Sequence, residues 1–237
     1  VIVIIVVLII IPAYKFFYVA PSCFDNSRNG DELGIDCGGS CTKLCSSAFL
    51  DIPSPSWVRF KEVAPNVYNI AAYVVNPNKK AEAKNLSYKF SVLDKNGFEL
   101  AQYKSTFNLP VGRNTVVFVN ALPVKDQIPV RAIMEYNKEP EWFLGADVLA
   151  GLDVTDKKYE ENLSGSALNV VLTNRSARVM RNIIVYAILK DKDDNAIDYS
   201  KTIVDEIPPQ GTGPAPFTWP DSHQGRVISI EVLSVPK

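Results

Sequence analysis

The first part of the chain is almost continuously apolar. Positions 1–11 are all Val, Ile or Leu, and Lys15 is the only charged residue before Asp25. About 20 apolar residues suffice for a helix to cross a bilayer, and tyrosines near the end of such a run are typical of the membrane–water boundary. We therefore predict a hydrophobic helix over residues 1–20 that anchors the chain in membrane lipid. The same segment also suits the core of a pilin-like filament.

From residue 57 onward the pattern changes to short runs of β-branched and aromatic residues, separated by Asn, Pro, Gly and Lys. The first group reads WVRFKEV, VYNIAAYVVN, LSYKFSVLD, FELAQYKSTF, NTVVFVN and VRAIMEY. These runs have the length of strands and several alternate in polarity, while Asn96-Gly97 is a typical hairpin turn. Since no amphipathic helix stands out, the pattern predicts an all-β fold.

The same order of runs returns later, as ALNVVLTN, RNIIVYAILKD, NAIDYSKTIV, APFTW and RVISIEVLSV. Asn76 corresponds to Asn174 in this alignment of the chain with itself, and the period is roughly 97 residues, the size of one immunoglobulin-like domain. We predict two tandem immunoglobulin-like β-sandwiches, at residues 57–140 and 146–237. A Ser/Pro linker at 48–56 precedes them.

The four cysteines lie between the apolar segment and the strands, at Cys23, Cys37, Cys41 and Cys45. Their spacing contains no C-x2-C pair and no histidine is nearby, so a structural zinc site fits badly. An even number of neighbouring cysteines just outside a membrane favours two disulfides, with three connectivities open. We predict that residues 21–47 form a small disulfide-rich collar, which has too little core to fold without its bridges.

Oxygen-bearing side chains inside this collar follow the spacing of an EF-hand-type calcium loop. Asp25, Ser27, Asn29 and Asp36 offer side chains at places 1, 3, 5 and 12, and Asp31 offers its backbone carbonyl at place 7. Against a calcium site, place 9 has no ligand, an aspartate replaces the usual glutamate, and cysteines flank the loop instead of helices. The alternative is an Asx- and Gly-rich turn held by disulfides. Calcium is the one cofactor that the sequence suggests.

The collar sequence CFDNSRNGDELGIDCGGSCTKLC resembles the C-x-D-G-x-x-N-x-x-E-x-G-x-D-C-G-G-x-C-x-x-C element of extracellular proteins. It is similar to the juxtamembrane part of membrane-anchored surface proteins of Patescibacteria, and departs from the pattern at Asn26, where glycine is usual. The run Phe90–Asp94 resembles the strand that names the FxLYD-type β-sandwich of bacterial surface proteins. The resemblance implies a surface location and carries over no activity.

Charge and side-chain chemistry narrow the range of functions. The 25 Lys+Arg nearly balance the 26 Asp+Glu without a basic patch, which argues against nucleic acid as a partner. The single histidine, His223, lies in the turn-like stretch PDSHQG, and we predict that it is a solvated loop residue. The sandwich cores are expected to be filled or closed by Trp57, Trp142 and Trp219. N-x-S sequons, which matter only in a host that glycosylates, lie at Asn85, Asn162 and Asn174.

These patterns predict a non-enzymatic surface protein with one membrane pass and an extracellular C-terminal portion. Its sandwiches would act as a spacer, or as an adhesion or contact module for an extracellular protein or an envelope component. One alternative is a self-assembling subunit of a surface filament, with the N-terminal helix in the filament core. Another is a carbohydrate-binding domain or an enzyme accessory domain, which would need convergent polar groups.

Overall fold

The computed structural model describes residues 20–45, 51–124 and 128–237, and the chain divides into two compact units, Val1–Ala48 and Phe49–Lys237. The described residues contain thirteen β-strands and no α-helix, so the all-β prediction is confirmed for this part of the chain. Within it, no helix of the length and apolarity that a membrane span requires is present. The predicted N-terminal helix lies outside the described residues, apart from Ala20.

The collar is a series of turns closed by two disulfides, Cys23–Cys41 and Cys37–Cys45. The prediction that all four cysteines pair is therefore confirmed, and the structure supplies the connectivity that the spacing left open. Asn26 has a φ of 58°, in the left-handed region that favours glycine and tolerates asparagine. This conformation suits asparagine at a position where the element that the collar resembles has glycine.

The first half of the larger unit has seven strands: β1 (Pro55–Ala64), β2 (Val67–Val74), β3 (Ala81–Leu93), β4 (Glu99–Leu109), β5 (Thr115–Pro123), β6 (Arg131–Tyr136) and β7 (Trp142–Leu144). They form two antiparallel sheets, with strand orders β1-β2-β5 and β4-β3-β6, and β7 pairs with β3. The edges of the two sheets lie side by side, β1 along β6 and β4 along β5.

The second half has six strands: β8 (Leu152–Asn162), β9 (Gly165–Asn174), β10 (Met180–Lys190), β11 (Ala196–Ile207), β12 (Thr212–Trp219) and β13 (Ser229–Pro236). They form antiparallel sheets of order β12-β9-β8 and β11-β10-β13. Replacing each strand by the one seven places earlier reproduces the two main sheets of the first half. The repeat inferred from the sequence thus appears as a repeat of strand order.

The core of the second half lies between its two sheets. Alternate residues of β9 and β10 point into one buried cluster, which Phe217 and Trp219 of β12 complete. This alternation follows from the two-residue period of a strand, because every second side chain faces the same side of the sheet. The strand β9 contributes Leu168, Val170 and Leu172, and β10 contributes Ile183, Val185, Ala187 and Leu189.

The opposite face of β10 packs against the first half of the chain. Tyr186 and Ile188 belong to a second buried cluster with Ala71 of β2 and Val116 of β5. Trp57 of β1 packs against the same cluster. The sheets β11-β10-β13 and β1-β2-β5 are therefore stacked face to face, and the two halves share an apolar interface. A strand buried on both faces reads as a continuous apolar run, as β10 does.

Asn76 and Asn174 hold corresponding places in the two halves: Asn76 lies two residues after β2, and Asn174 is the last residue of β9. The Asn76 Nδ2 donates to the carbonyl oxygens of Ala81 (2.9 Å) and Pro110 (2.7 Å). The Asn174 Nδ2 donates to those of Arg178 (2.7 Å) and Pro208 (3.0 Å). Each buried amide therefore ties its strand to the two loops around it, and the correspondence seen in the sequence extends to the hydrogen bonds.

Candidate functional site

The two carboxylates among the predicted calcium ligands, Asp25 and Asp36, accept hydrogen bonds from within the collar. The Asp36 carboxylate accepts the backbone N–H of Asp25 through Oδ1 (3.0 Å) and that of Asn26 through Oδ2 (3.0 Å). The Asp25 carboxylate accepts the N–H of Ser27 (2.9 Å) and the side-chain amide of Asn29 (2.8 Å). The hydrogen bond from Asn29 lowers the pKa of Asp25. These contacts are those of an Asx-rich turn.

The structure adds Glu32, which spacing alone did not single out. Its side chain is buried, and Oε2 accepts the N–H of Asn29 (3.2 Å) and of Asp36 (3.4 Å). A glutamate in this role organises the loop from within, because its carboxylate satisfies backbone donors that the turns leave unpaired. The signal available in the sequence was the glutamate of the related pattern, three residues after Asn29.

Two observations bear on metal binding at the collar. The sulfur atoms of Cys23 and Cys41 lie near the Glu32 carboxylate, but they are joined in a disulfide and lack the thiolate that a metal would need. The Asn29 Oδ1 is buried without a hydrogen-bond partner, and the Asp31 side chain accepts a bond from Ser40 Oγ (2.8 Å). Calcium coordination by this loop therefore stays a prediction, and the turn interpretation accounts for most of its polar contacts.

A second cluster of polar side chains lies where the two halves meet. Lys61 of β1 contacts Asp198 of β11 (Nζ to Oδ2, 2.6 Å) and Asp221, which follows β12 (Nζ to Oδ2, 2.8 Å). His223 Nε2 lies 3.0 Å from the same Oδ2 of Asp198. We call Lys61, Asp198, Asp221 and His223 the junction cluster. It joins a strand of the first half to two segments of the second.

The histidine prediction was wrong, because His223 is buried in this cluster. Its Nδ1 lies 3.1 Å from Ser166 Oγ and 3.1 Å from Tyr159 OH, so both ring nitrogens have partners. The stretch PDSHQG was expected to stay in solvent since it is rich in turn-forming residues. Instead it folds over the end of the sheet β12-β9-β8, where Trp219 meets the imidazole edge to face at 6.2 Å.

Ser166, His223 and Asp198 have the residue types of a nucleophilic triad, and their geometry decides what they can do. The Asp198 carboxylate accepts from Nε2–H, which leaves Nδ1 as the acceptor for a hydroxyl proton. Ser166 is buried, however, and its Oγ also contacts the carbonyl oxygen of Asp221 at 3.2 Å. A nucleophile must reach its substrate, so the arrangement functions as a satisfied buried network that fixes the loop after β12.

The electrostatics of the cluster favour the ionised forms of Lys61 and Asp221. Burial lowers the pKa of Lys61, but the hydrogen bonds and charges of Asp198 and Asp221 outweigh this effect and the net shift is upward. The hydrogen bond from Lys61 lowers the pKa of Asp221. A charge-paired lysine of this kind is a poor nucleophile, since its amine stays protonated.

A cleft of about 410 Å³ opens beside the junction cluster. One wall comes from the first half and includes Asn69, Phe118 and Asn120, and the other comes from β11 and the segment after β12. Lys201 Nζ lies 5.6 Å above the centre of the Phe118 ring and covers part of that aromatic surface. Ser166 and His223 do not line this cleft.

Arg113 forms a further connection between the halves. Its guanidinium, in the loop between β4 and β5, makes a two-pronged ion pair with Asp147 (Nε to Oδ1 2.7 Å, Nη2 to Oδ2 2.8 Å). The Nη2 also donates to the carbonyl oxygen of Leu149 at 2.7 Å. Since the stretch around Asp147 connects β7 to β8, this contact ties the connection to the first half.

The three sequons differ in exposure. Asn85 and Asn162 are exposed, whereas Asn174 is fully buried and its amide is engaged with three backbone carbonyls. An acceptor asparagine must be accessible, so Asn174 is closed to glycosylation in the folded chain.

No protein-family model matches the chain, and no curated protein matches it significantly. Among solved structures, a β-glucuronidase from glycoside hydrolase family 2 aligns with 85% of this chain and 25% of its own, at 11% identity and a TM-score of 0.24. A putative β-galactosidase from Bacteroides fragilis aligns with 76% of this chain and 34% of its own, at 14% identity and a TM-score of 0.21. The chain thus spans a quarter to a third of the length of these enzymes.

Proposed function

We propose that this chain is a non-enzymatic surface protein, anchored in the membrane by residues 1–20, whose larger unit is a rigid extracellular spacer and contact module. The observation that carries this proposal is the collar, with two disulfides within 23 residues. Disulfides form and persist in oxidising compartments outside the cytoplasm. Their position directly after the apolar segment supports an order of anchor, collar and displayed body.

The larger unit is suited to present a binding surface, because its two halves are packed against each other and are not separate domains on a flexible linker. We infer that each half is an immunoglobulin-like sandwich of the FxLYD type, and that the two are fixed by the stacked sheets, the junction cluster and the Arg113–Asp147 pair. A rigid body transmits the position of a binding surface better than two freely jointed domains. Its partner would be an extracellular protein or an envelope component.

Surface protease treatment of intact cells tests this function. The full chain carries a C-terminal tag and is expressed beside a tagged cytosolic protein as the control. Proteinase K should remove the tag of this chain from intact cells and spare the control. If the tag is cleaved only after the cells are permeabilised, the C-terminal portion is not extracellular and the proposal fails.

The oligomeric form separates the anchor from the filament alternative. Purified full chain in detergent should give single particles in negative-stain electron microscopy, with residues 1–20 covered by detergent. Filaments that form without membrane would instead place the apolar segment in a protein core.

A further inference from the structure

The collar exposes three large apolar side chains and buries the charged side chain of Glu32. Phe24 is 87% exposed, Leu33 69% and Ile35 61%, whereas Glu32 is only 7% exposed. Three large apolar side chains within twelve residues therefore lie in water, and contact with an apolar phase would be favourable for them. We call Phe24, Leu33 and Ile35 the collar patch.

The three residues belong to one hydrogen-bonded stretch of the collar. The backbone N–H of Asp25, next to Phe24, donates to the side chain of Asp36, next to Ile35, at 3.0 Å. The N–H of Leu33 donates to the carbonyl oxygen of Cys37 at 3.1 Å. The disulfide Cys37–Cys45 holds the same turn. The collar patch is therefore carried by a framework that fixes its residues relative to one another.

The chain length before the patch limits how far it can be from the apolar segment. Phe24 follows Ala20 by four residues, a reach of about 14 Å at most. The polar headgroup region on each side of a bilayer is about 5–8 Å thick. Pro21 also lies against Gly30, where an added Cβ would be 3.1 Å from the Pro21 Cβ. The collar thus folds back toward the point where the chain leaves the apolar segment.

We propose that the collar patch lies in the headgroup region of the membrane that holds residues 1–20. The collar would then contact lipid directly, besides connecting the apolar segment to the larger unit. This inference rests on the proposed membrane anchoring. The collar carries four carboxylates against Arg28 and Lys43, and this excess of negative charge disfavours an anionic surface. The lipid that it fits is therefore zwitterionic. Phe, Leu and Ile are residues that enter the boundary between headgroups and acyl chains.

A photo-crosslinking experiment on the full chain tests the inference. The photoreactive residue p-benzoylphenylalanine replaces Phe24 in one variant, and Phe98 in a matched control variant. Phe98 is 70% exposed and lies in the larger unit, at the turn between β3 and β4. Both variants are reconstituted into phosphatidylcholine vesicles, irradiated and analysed by mass spectrometry. Intact-mass analysis after alkylation first checks that both disulfides have formed.

The inference predicts lipid adducts at position 24 and none above background at position 98. Absence of lipid adducts at position 24, in protein that stays in the vesicle fraction after carbonate extraction, would contradict contact between the collar patch and lipid. It would leave the proposed membrane anchoring intact. Equal adducts at both positions, or adducts to protein in place of lipid at position 24, would overturn the inference as well. Protein that leaves the vesicles on carbonate extraction would contradict the proposed anchoring itself.

Discussion

Asn174 shows how one buried side chain can stabilise a whole end of the molecule. Its amide nitrogen donates to the carbonyls of Arg178, Ile207 and Pro208, and its carbonyl oxygen accepts the N–H of Ser176 at 2.9 Å. Replacing it with alanine would remove the donor from all three carbonyls, of which that of Ile207 is buried, and a buried carbonyl without a partner costs about 1–3 kcal/mol. The asparagine at the end of the run was visible in the sequence, but its partners lie in loops whose approach only the fold determines.

We expect Asn174→Ala to lower the free energy of unfolding by about 2 kcal/mol, because the buried carbonyl of Ile207 and the partly buried carbonyls of Arg178 and Pro208 lose their donor. The exposed Asn162 gives the matched control, and Asn162→Ala should change stability by less than about 0.5 kcal/mol. Urea denaturation followed by tryptophan fluorescence measures both. Equal midpoints for the two variants would show that the Asn174 bonds do not stabilise the fold.

Gly39 determines whether the collar can close. Its φ is 59°, and a Cβ there would clash with the backbone oxygen of Asp31. We expect Gly39→Ala to prevent correct pairing of the cysteines, so that alkylation and mass spectrometry after purification without reductant detect free thiols. Gly97→Ala is the control, since Gly97 also has a positive φ but nothing lies within 4 Å of its added Cβ. Fully paired cysteines in Gly39→Ala would contradict this role.

At the scale of the elements, the hydrophobic pattern predicted where strands occur, but not which elements pack against each face of a strand. The Asn96-Gly97 turn joins β3 to β4 as expected. The run IIVYAIL predicted a strand, yet a continuous apolar run does not reveal what covers its second face. That face of β10 contacts the first half, so the stacking of the sheets could not be read from either repeat alone. The burial of His223 was missed for the same reason, because its partners Asp198 and Ser166 are distant in sequence.

The interface face of β10 carries Tyr186, and this leads to a prediction about alkaline pH. Burial raises the pKa of Tyr186 to about 12, despite a hydrogen bond with Thr115 that lowers it, and burial also raises the pKa of Tyr88 and Tyr136 to about 12. The unfolded chain releases these protons near pH 10. Between pH 10 and 12 the folded state therefore binds more protons than the unfolded state, and stability falls as pH rises.

In an alkaline titration, ionisation of the buried tyrosines should coincide with unfolding. We expect part of the tyrosinate absorbance to appear only together with loss of β-sheet circular dichroism, between pH 10 and 12. In Tyr186→Phe, where one buried ionisation is gone, unfolding should move to higher pH. If all ten tyrosines ionise near pH 10 while the circular dichroism stays unchanged, the burial of these side chains is contradicted.

At the scale of the whole molecule, a repeated order of strands accounts for the architecture of the larger unit. Two copies of one strand order are joined by the stacked sheets β1-β2-β5 and β11-β10-β13, by the junction cluster and by the Arg113–Asp147 pair. The sequence predicted the repeated order of strands, the all-β fold and the pairing of all four cysteines, but not which cysteine pairs with which. The packing of the two halves against each other could not be predicted from the sequence. The contacts between them join residues that are far apart in the chain and belong to different copies of the repeat.

We infer that residues 51–124 and 128–237 behave as one rigid body, as a spacer requires. Native-state hydrogen exchange of the full chain in detergent, measured by mass spectrometry over a range of urea concentrations, tests it most directly. Peptides from β2 and from β10 report on the two halves. We predict that both lose protection at the same urea midpoint, because the shared apolar interface couples their unfolding. Separate midpoints, with one half exchanging while the other stays protected, would contradict the claim.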